Sequence, residues 1–95
     1  MMTEDTRPLV QVVAGILLDK NGRYLLSSRP EGKPYAGYWE FAGGKVEAGE
    51  SDFQALQREF EEELGIRILA ATPWLIKVHS YEHAHVRLPF LWVEA

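Results

Sequence analysis

The sequence contains no cysteine. A disulfide framework and a thiolate-bound metal are therefore both excluded. It also lacks an excess of positive charge. Ten Lys and Arg stand against fourteen Asp and Glu, a net charge of −4. That argues against a nucleic-acid polymer as partner, because gripping a phosphate backbone takes a basic surface. A single nucleotide stays open, since its phosphates are reachable through a metal ion. No segment is long and apolar enough to span a bilayer, and residues 1–8 lack the basic and apolar pattern of a secretion signal. The expectation is a cytoplasmic protein with no membrane partner. There is no internal repeat and no linker. What is present is ordinary for a globular chain: 46% hydrophobic, 25% charged and 12% aromatic over 95 residues. That length gives one small domain, burying about 65% of its unfolded surface.

Residues 1–7 are polar and expected to be loose. Residues 9–18 (LVQVVAGILL) are rich in β-branched side chains and predict a largely buried strand. Asn21-Gly22 favours a tight turn, with residues 23–28 returning as a second strand. Residues 29–38 carry Pro, Gly and basic residues and predict a surface loop. A short strand over 39–42 leads to Gly43-Gly44 and a second loop ending at Gly49. Ser51 stands three residues before Gln54, the spacing of a capping box, and Gly65 suits the C-terminal stop, so a helix is predicted between them. Phe53, Leu56, Phe60 and Leu64 form its core-facing stripe. Residues 66–81 and 85–93 predict two more strands joined near residues 82–84. The fold class is α/β.

Chemistry concentrates in residues 44–66, GKVEAGESDFQALQREFEEELGI. Glu59, Glu62 and Glu63 stand at i, i+3 and i+4 and share one helical face, while Glu61 points elsewhere. Like charges four residues apart destabilise a helix by roughly 0.2–0.5 kcal/mol per pair, a cost that something should offset. Mg²⁺ is the evident counter-ion. It takes hard oxygen ligands and is commonly shared between a few carboxylates and substrate phosphates. The Gly43-Gly44 backbone can approach metal and phosphate without an intervening Cβ. Arg58, beside Glu62, is placed to orient carboxylates by bidentate hydrogen bonds. An acidic helix face alone is more often a solvated surface, so the weight falls on the whole pattern.

That pattern resembles the Nudix box: Gly, five residues, Glu, seven residues, then Arg-Glu-(apolar)-x-Glu-Glu-x-Gly-(apolar). It is matched at Gly44, Glu50, Arg58, Glu59, Phe60, Glu62, Glu63, Gly65 and Ile66. The flanking Arg29-Pro30, Tyr38-Trp39-Glu40-Phe41, Gly43-Gly44-Lys45 and the strand pair from His79 to Arg87 are similar to the MutT branch of that superfamily. The resemblance implies an α/β/α sandwich around a mixed sheet, spanning residues 8–95. It implies a Mg²⁺-dependent (or Mn²⁺-dependent) pyrophosphohydrolase of a nucleotide such as 8-oxo-dGTP. Carried over residue by residue, Glu59, Glu62, Glu63 and the Gly43 carbonyl would bind the metal. Glu50 and Glu59 are candidates for activating water, and Arg58 completes the catalytic group. Arg29 would contact a phosphate, and Lys45 is counted with it as a substrate-side residue. His79 and Tyr81 would lie near the base. Alternation along a strand equally explains His79, Tyr81, His83 and His85 as one solvent-facing row, and Trp39 and Phe41 read as core or loop packing.

Two departures qualify the resemblance. Ala42 stands where MutT-like proteins typically carry Pro, which leaves the glycine loop less stiff. MutT-like domains also usually continue with a further strand and a helix that covers the sheet. An uncovered apolar sheet face favours self-association, so a homodimer is an expected partner. The alternative activities are hydrolysis of another nucleoside diphosphate derivative, or a short, catalytically weak domain that only binds metal or nucleotide.

Overall fold

A computed structural model describes residues 5–28 and 39–95. In chain order these form β1 (Leu9–Leu17), β2 (Ser27–Ser28), β3 (Trp39–Glu40), β4 (Gly43–Lys45), α1 (Asp52–Leu64), β5 (Ala70–Ser80) and β6 (His85–Glu94). Four strands make a mixed sheet in the order β4-β1-β6-β5, and β2 and β3 pair separately. The β-branched run of β1 occupies the centre. It pairs parallel with β6 from Leu9↔His85 to Leu17↔Val93, and antiparallel with β4 at Val12↔Lys45 and Ala14↔Gly43. The α/β class and the mixed sheet match the reading of the sequence.

Three local expectations are corrected, the third being the start of β5. The turn at Asn21-Gly22 is present, with Gly22 at φ 78° and its N–H donating to the Asp19 carbonyl. The returning segment is not a full strand, however. It makes one bridge, Leu18↔Tyr24, with two backbone hydrogen bonds, Asp19 N–H to the Arg23 carbonyl and Leu25 N–H to the Leu17 carbonyl. Ser27–Ser28 then pairs with β3 instead. The reason lies in β1, whose edge over Val12–Ala14 is already taken by β4. The second correction is that Gly43-Gly44 is strand rather than loop. A Cβ at Gly43 would lie 1.9 Å from the Val13 carbonyl oxygen, so this close pairing admits only glycine.

Helix α1 forms as its caps predict. Ser51 Oγ accepts from the Gln54 N–H at 3.1 Å, while Gln54 Oε1 accepts from the Ser51 N–H at 2.9 Å. Gly65 closes the helix at φ 65°, its N–H donating to the Glu61 carbonyl. Leu56 and Phe60 are fully buried and Phe53 and Leu64 partly so, which gives the predicted stripe. The stripe packs on β1 and β4, joining Val13, Ala42, Ala55, Ile68, Leu91 and Val93 in one core. Each such large side chain contributes about 1.5–3 kcal/mol through burial. Residues 66–69 precede β5 rather than extending it, and Ile68 drops into the core. At the other end Asp5 bonds to His85 Nε2 at 2.7 Å, and Arg7 reaches the Tyr81 carbonyl at 3.0 Å.

Candidate active site

The site grows from the junction of β4, the following turn and α1. The turn over Glu47–Glu50 closes with the Glu50 N–H donating to the Glu47 carbonyl. Gly49 takes φ 84°, the left-handed value that the third position of a type II turn requires. This turn brings Glu50 back against the start of α1. Helical side chains lean toward the N-terminus, so the long Arg58 side chain reaches back to meet it.

Arg58 is the hub. Its Nε lies 2.9 Å from Glu50 Oε2 and its Nη2 lies 3.0 Å from Glu50 Oε1. Nη1 donates to Glu59 Oε1 at 2.8 Å, and Nη2 also donates to the Lys45 carbonyl at 3.0 Å. Glu62 and Glu47 stand further off, at 3.5 and 3.7 Å from Nη1. The bidentate partner of Arg58 is thus Glu50, while its helical neighbour Glu62 is a longer contact. Glu50 also accepts from the Glu47 N–H at 2.9 Å. Arg58 first, then this backbone donor, hold the Glu50 carboxyl down at about 2. A carboxylate so saturated is a poor proton acceptor. The Arg58 guanidinium is raised in turn by Glu50 and Glu59.

Glu59 differs. Only Oε1 is held by Arg58, and among the described residues Oε2 carries no hydrogen bond. Its carboxylate lies directly over the Gly44 backbone, where a Cβ would come within 2.5 Å of it. Gly44 therefore leaves room for the carboxylate itself. Glu62 and Glu63 are exposed on the same helix. On the far side of α1's first turn, Arg87 of β6 holds Asp52 at 3.3 Å, a tie the sequence did not signal.

β4 also borders a cleft of about 440 Å³, whose walls include Gly43, Gly44, Leu26, Phe41, Leu88 and Phe90. Phe41 and Phe90 meet edge to face at 6.3 Å. Glycine backbone thus separates an acidic cluster from an apolar, ring-sized hollow. A larger hollow of about 590 Å³ lies between Leu18, Tyr24, Ile66 and Glu94, and none of the box carboxylates borders it.

The remaining sequence candidates are dispersed. Lys45 is exposed and joins the site through its carbonyl. His79 and Tyr81 contact each other at the end of β5, with ring centroids 4.4 Å apart, and Tyr81 stacks on His83 at 5.6 Å. His85 leaves that row, because the chain reverses over residues 82–84. It pairs with Ser80 in register and bonds to Ser80 Oγ at 2.7 Å. Arg29 lies outside the described residues.

The donor set suits a hard divalent cation in its chemistry: Glu59, Glu62 and Glu63 offer carboxylate oxygens only. Among the described residues no three acidic or His side chains converge on one point. Mg²⁺ does not demand an all-protein cage. It keeps several waters and is held by one or two carboxylates together with substrate phosphates.

Helix-borne carboxylates, an arginine hub and a glycine strand thus lie together beside an apolar cleft. The chain belongs to the NUDIX domain family, whose model matches residues 8–94, and within it the chain is MutT-like. It is 36% identical over 84 residues to an 8-oxo-dGTP diphosphatase of Proteus vulgaris, a match covering 88% of this chain and 75% of that protein. It is 55% identical over 58 residues to a CTP pyrophosphohydrolase of Escherichia coli K12, covering 61% of this chain and 42% of that one. The solution structure of the E. coli ORF135 protein superposes with a TM-score of 0.81 at 38% identity, over 95% of this chain and 64% of that chain. The chain thus spans from under half to three quarters of the length of these relatives. Among the described residues no helix is long and apolar enough to cross a membrane.

Proposed function

We propose that this domain hydrolyses the phosphoric anhydride of a nucleoside triphosphate, releasing pyrophosphate and the monophosphate. The observation that carries this reading is the Glu59 carboxylate, seated over Gly44 and steered by an Arg58 that is itself anchored by Glu50. Bound Mg²⁺ would supply charge neutralisation on the phosphate oxygens and make water more acidic. Glu59, Glu62 and Glu63 are the residues to hold it, with the Gly43 carbonyl as a further donor. Among the described residues Glu59 keeps one oxygen clear of Arg58 while both oxygens of Glu50 are taken, so Glu59 is the one of the two with an oxygen left for the cation or its water. Glu50 acts as a positioning residue through Arg58. The cleft beside Gly43 and Gly44 is of a size and polarity to take the base.

For the base, the similarity to an 8-oxo-dGTP diphosphatase over most of this chain favours an oxidised guanine nucleotide. The 55% identity to a CTP pyrophosphohydrolase supports a second reading, a pyrimidine triphosphate. Pyrophosphate release from 8-oxo-dGTP, dGTP and CTP under equal Mg²⁺ separates them. A kcat/KM that favours 8-oxo-dGTP over dGTP supports the first reading, and one that favours CTP supports the second. No release from any of the three, with the fold intact, contradicts both.

A further inference from the structure

Arg87 lies outside the carboxylate cluster, yet it holds the start of the helix that carries it. In β6 it stands opposite Gln11 of β1 and Val78 of β5. Side chains alternate along a strand, and Leu91 and Val93, an even number of residues further on, are buried in the core under α1. Arg87 therefore faces the helix side of the sheet. Its Nη1 lies 3.5 Å from Oδ1 and 3.3 Å from Oδ2 of Asp52, the first residue of α1. Glu50 is only two residues back along the chain. Before it, the Val46 N–H donates to the Gln11 carbonyl at 2.8 Å, which fixes where the chain leaves β4. Beyond it, Ser51 and Gln54 cap each other, and that pair is internal to the helix end. Among the described residues the Asp52–Arg87 contact is the one side-chain hydrogen bond between the first turn of α1 and the sheet. Arg58 grips Glu50 from further along the same helix. Where Glu50 sits thus depends on where that first turn sits.

We propose that Arg87 is a positioning residue for the hydrolysis: through Asp52 it sets the first turn of α1 against the sheet, and with it the place where Glu50 meets Arg58. The inference rests on the hydrolase reading for its effect on rate, and on the geometry alone for its effect on the turn. A displacement of about 1 Å remote from the chemistry can lower a rate on the order of a hundredfold. The Arg87 and Asp52 side chains are 32% and 31% exposed, so the tie is a weak one and the loss expected from breaking it is smaller, roughly fivefold. The geometry also says which substitution should keep the tie. A single nitrogen meets both oxygens of Asp52, a point-charge contact, whereas Arg58 presents a two-nitrogen fork to Glu50. Arg87→Lys should therefore retain the function that Arg87→Met loses.

The test compares the parent with Arg87→Met, Arg87→Lys, Asp52→Asn and the double variant Asp52→Asn with Arg87→Met, in two measurements. Pyrophosphate release with Mg²⁺ should show kcat lowered roughly fivefold in Arg87→Met and Asp52→Asn, with KM within about twofold of the parent. The double variant should be no slower than either single one, because both remove the same contact. Arg87→Lys should stay within about twofold of the parent. Amide hydrogen exchange follows the turn without any reaction. The Glu47 and Glu50 N–H groups, which close the turn, should exchange roughly fivefold faster in Arg87→Met and at the parent rate in Arg87→Lys, with the mid-helix Phe60 N–H unchanged in both. Unchanged exchange in the turn of Arg87→Met, an Arg87→Lys that behaves like Arg87→Met, or losses that add in the double variant would each overturn the proposal. So would faster exchange with kcat at the parent value. If the parent itself releases no pyrophosphate, the hydrolase reading fails, and the exchange rates alone decide whether Arg87 holds the turn.

Discussion

Both carboxylate oxygens of Glu50 are held by a single guanidinium, that of Arg58, at 2.9 and 3.0 Å. The same guanidinium holds Glu59 at 2.8 Å. One residue outside the helix thus fixes the side chain that steers a carboxylate inside it. This relationship explains how like charges on one helical turn are tolerated, and it sets most of the predictions below.

The first concerns acid. The Glu50 carboxyl is lowered from 4.5 to about 2 in the fold, so the folded state takes up this proton less readily than the unfolded chain. The stabilisation is therefore complete above about pH 4.5 and is lost as pH falls toward 2. Glu50→Gln should be less stable than the parent at neutral pH, and the two melting curves should converge as pH drops through that window. Asp5 and Asp19 are also lowered, chiefly by Arg7 and by the Arg23 backbone N–H, and both proteins share that part of the acid response. A gap in Tm that stays constant down to the acid end would contradict the pairing.

Arg58→Lys keeps the charge and loses the planar fork, so it should not substitute. The expected result is a fall of roughly 10–100-fold in the rate of triphosphate hydrolysis, with the fold preserved. The variant should also raise the depressed titration of Glu50 part of the way, the Glu47 N–H still holding it down, which carboxyl-carbon NMR reads directly. Full activity in the lysine variant would show that charge alone suffices.

The two adjacent glycines should fail in different ways. Gly43→Ala drives a methyl into the Val13 carbonyl oxygen and should cost stability, by about 2 kcal/mol or more, through loss of the β1–β4 pairing. Gly44→Ala meets the Glu59 carboxylate instead, the end of a side chain that can swing away. It should melt close to the parent and lose most hydrolysis. Thermal melts with paired rate measurements distinguish the two, and the reverse pattern would contradict this placement of Glu59.

Helix α1 offers a control for stability without chemistry. Ser51→Ala removes the cap to the Gln54 N–H and should cost about 1 kcal/mol. Gly65→Ala forces a Cβ onto φ 65° and should cost about as much. Leu56→Ala empties a fully buried site and should cost about 2–5 kcal/mol, a large share of the stability of a domain this small. Urea unfolding measures all three.

Much of this was legible in the residues. The caps Ser51 and Gly65, the stripe through Leu56 and Phe60, and the central run of β1 obey local rules and lie where those rules place them. What was not legible depends on contacts distant in sequence. Residues 23–28 have strand-like side chains, yet the edge they would join is partly occupied by β4, which no local pattern reveals. Gly43-Gly44 has the composition of a loop and becomes strand because close pairing with Val13 tolerates only glycine. For Arg58 the helical neighbour Glu62 was visible in the spacing. The stronger partner Glu50 becomes adjacent only once the turn at Gly49 folds back. Likewise Arg87–Asp52 joins a strand to a helix start 35 residues away. His85 separates from His79 because the chain reverses between them.

The most direct test of the central claim, that the carboxylates gathered around Arg58 form a metal-dependent hydrolytic site, is pyrophosphate release from 8-oxo-dGTP with and without Mg²⁺. It should compare the parent chain with Glu59→Gln and Glu62→Gln. The account predicts release that requires the cation and falls at least about 100-fold in Glu59→Gln, with a clear loss in Glu62→Gln as well. Release that survives chelation of the metal, or that proceeds at the parent rate in Glu59→Gln, would contradict it.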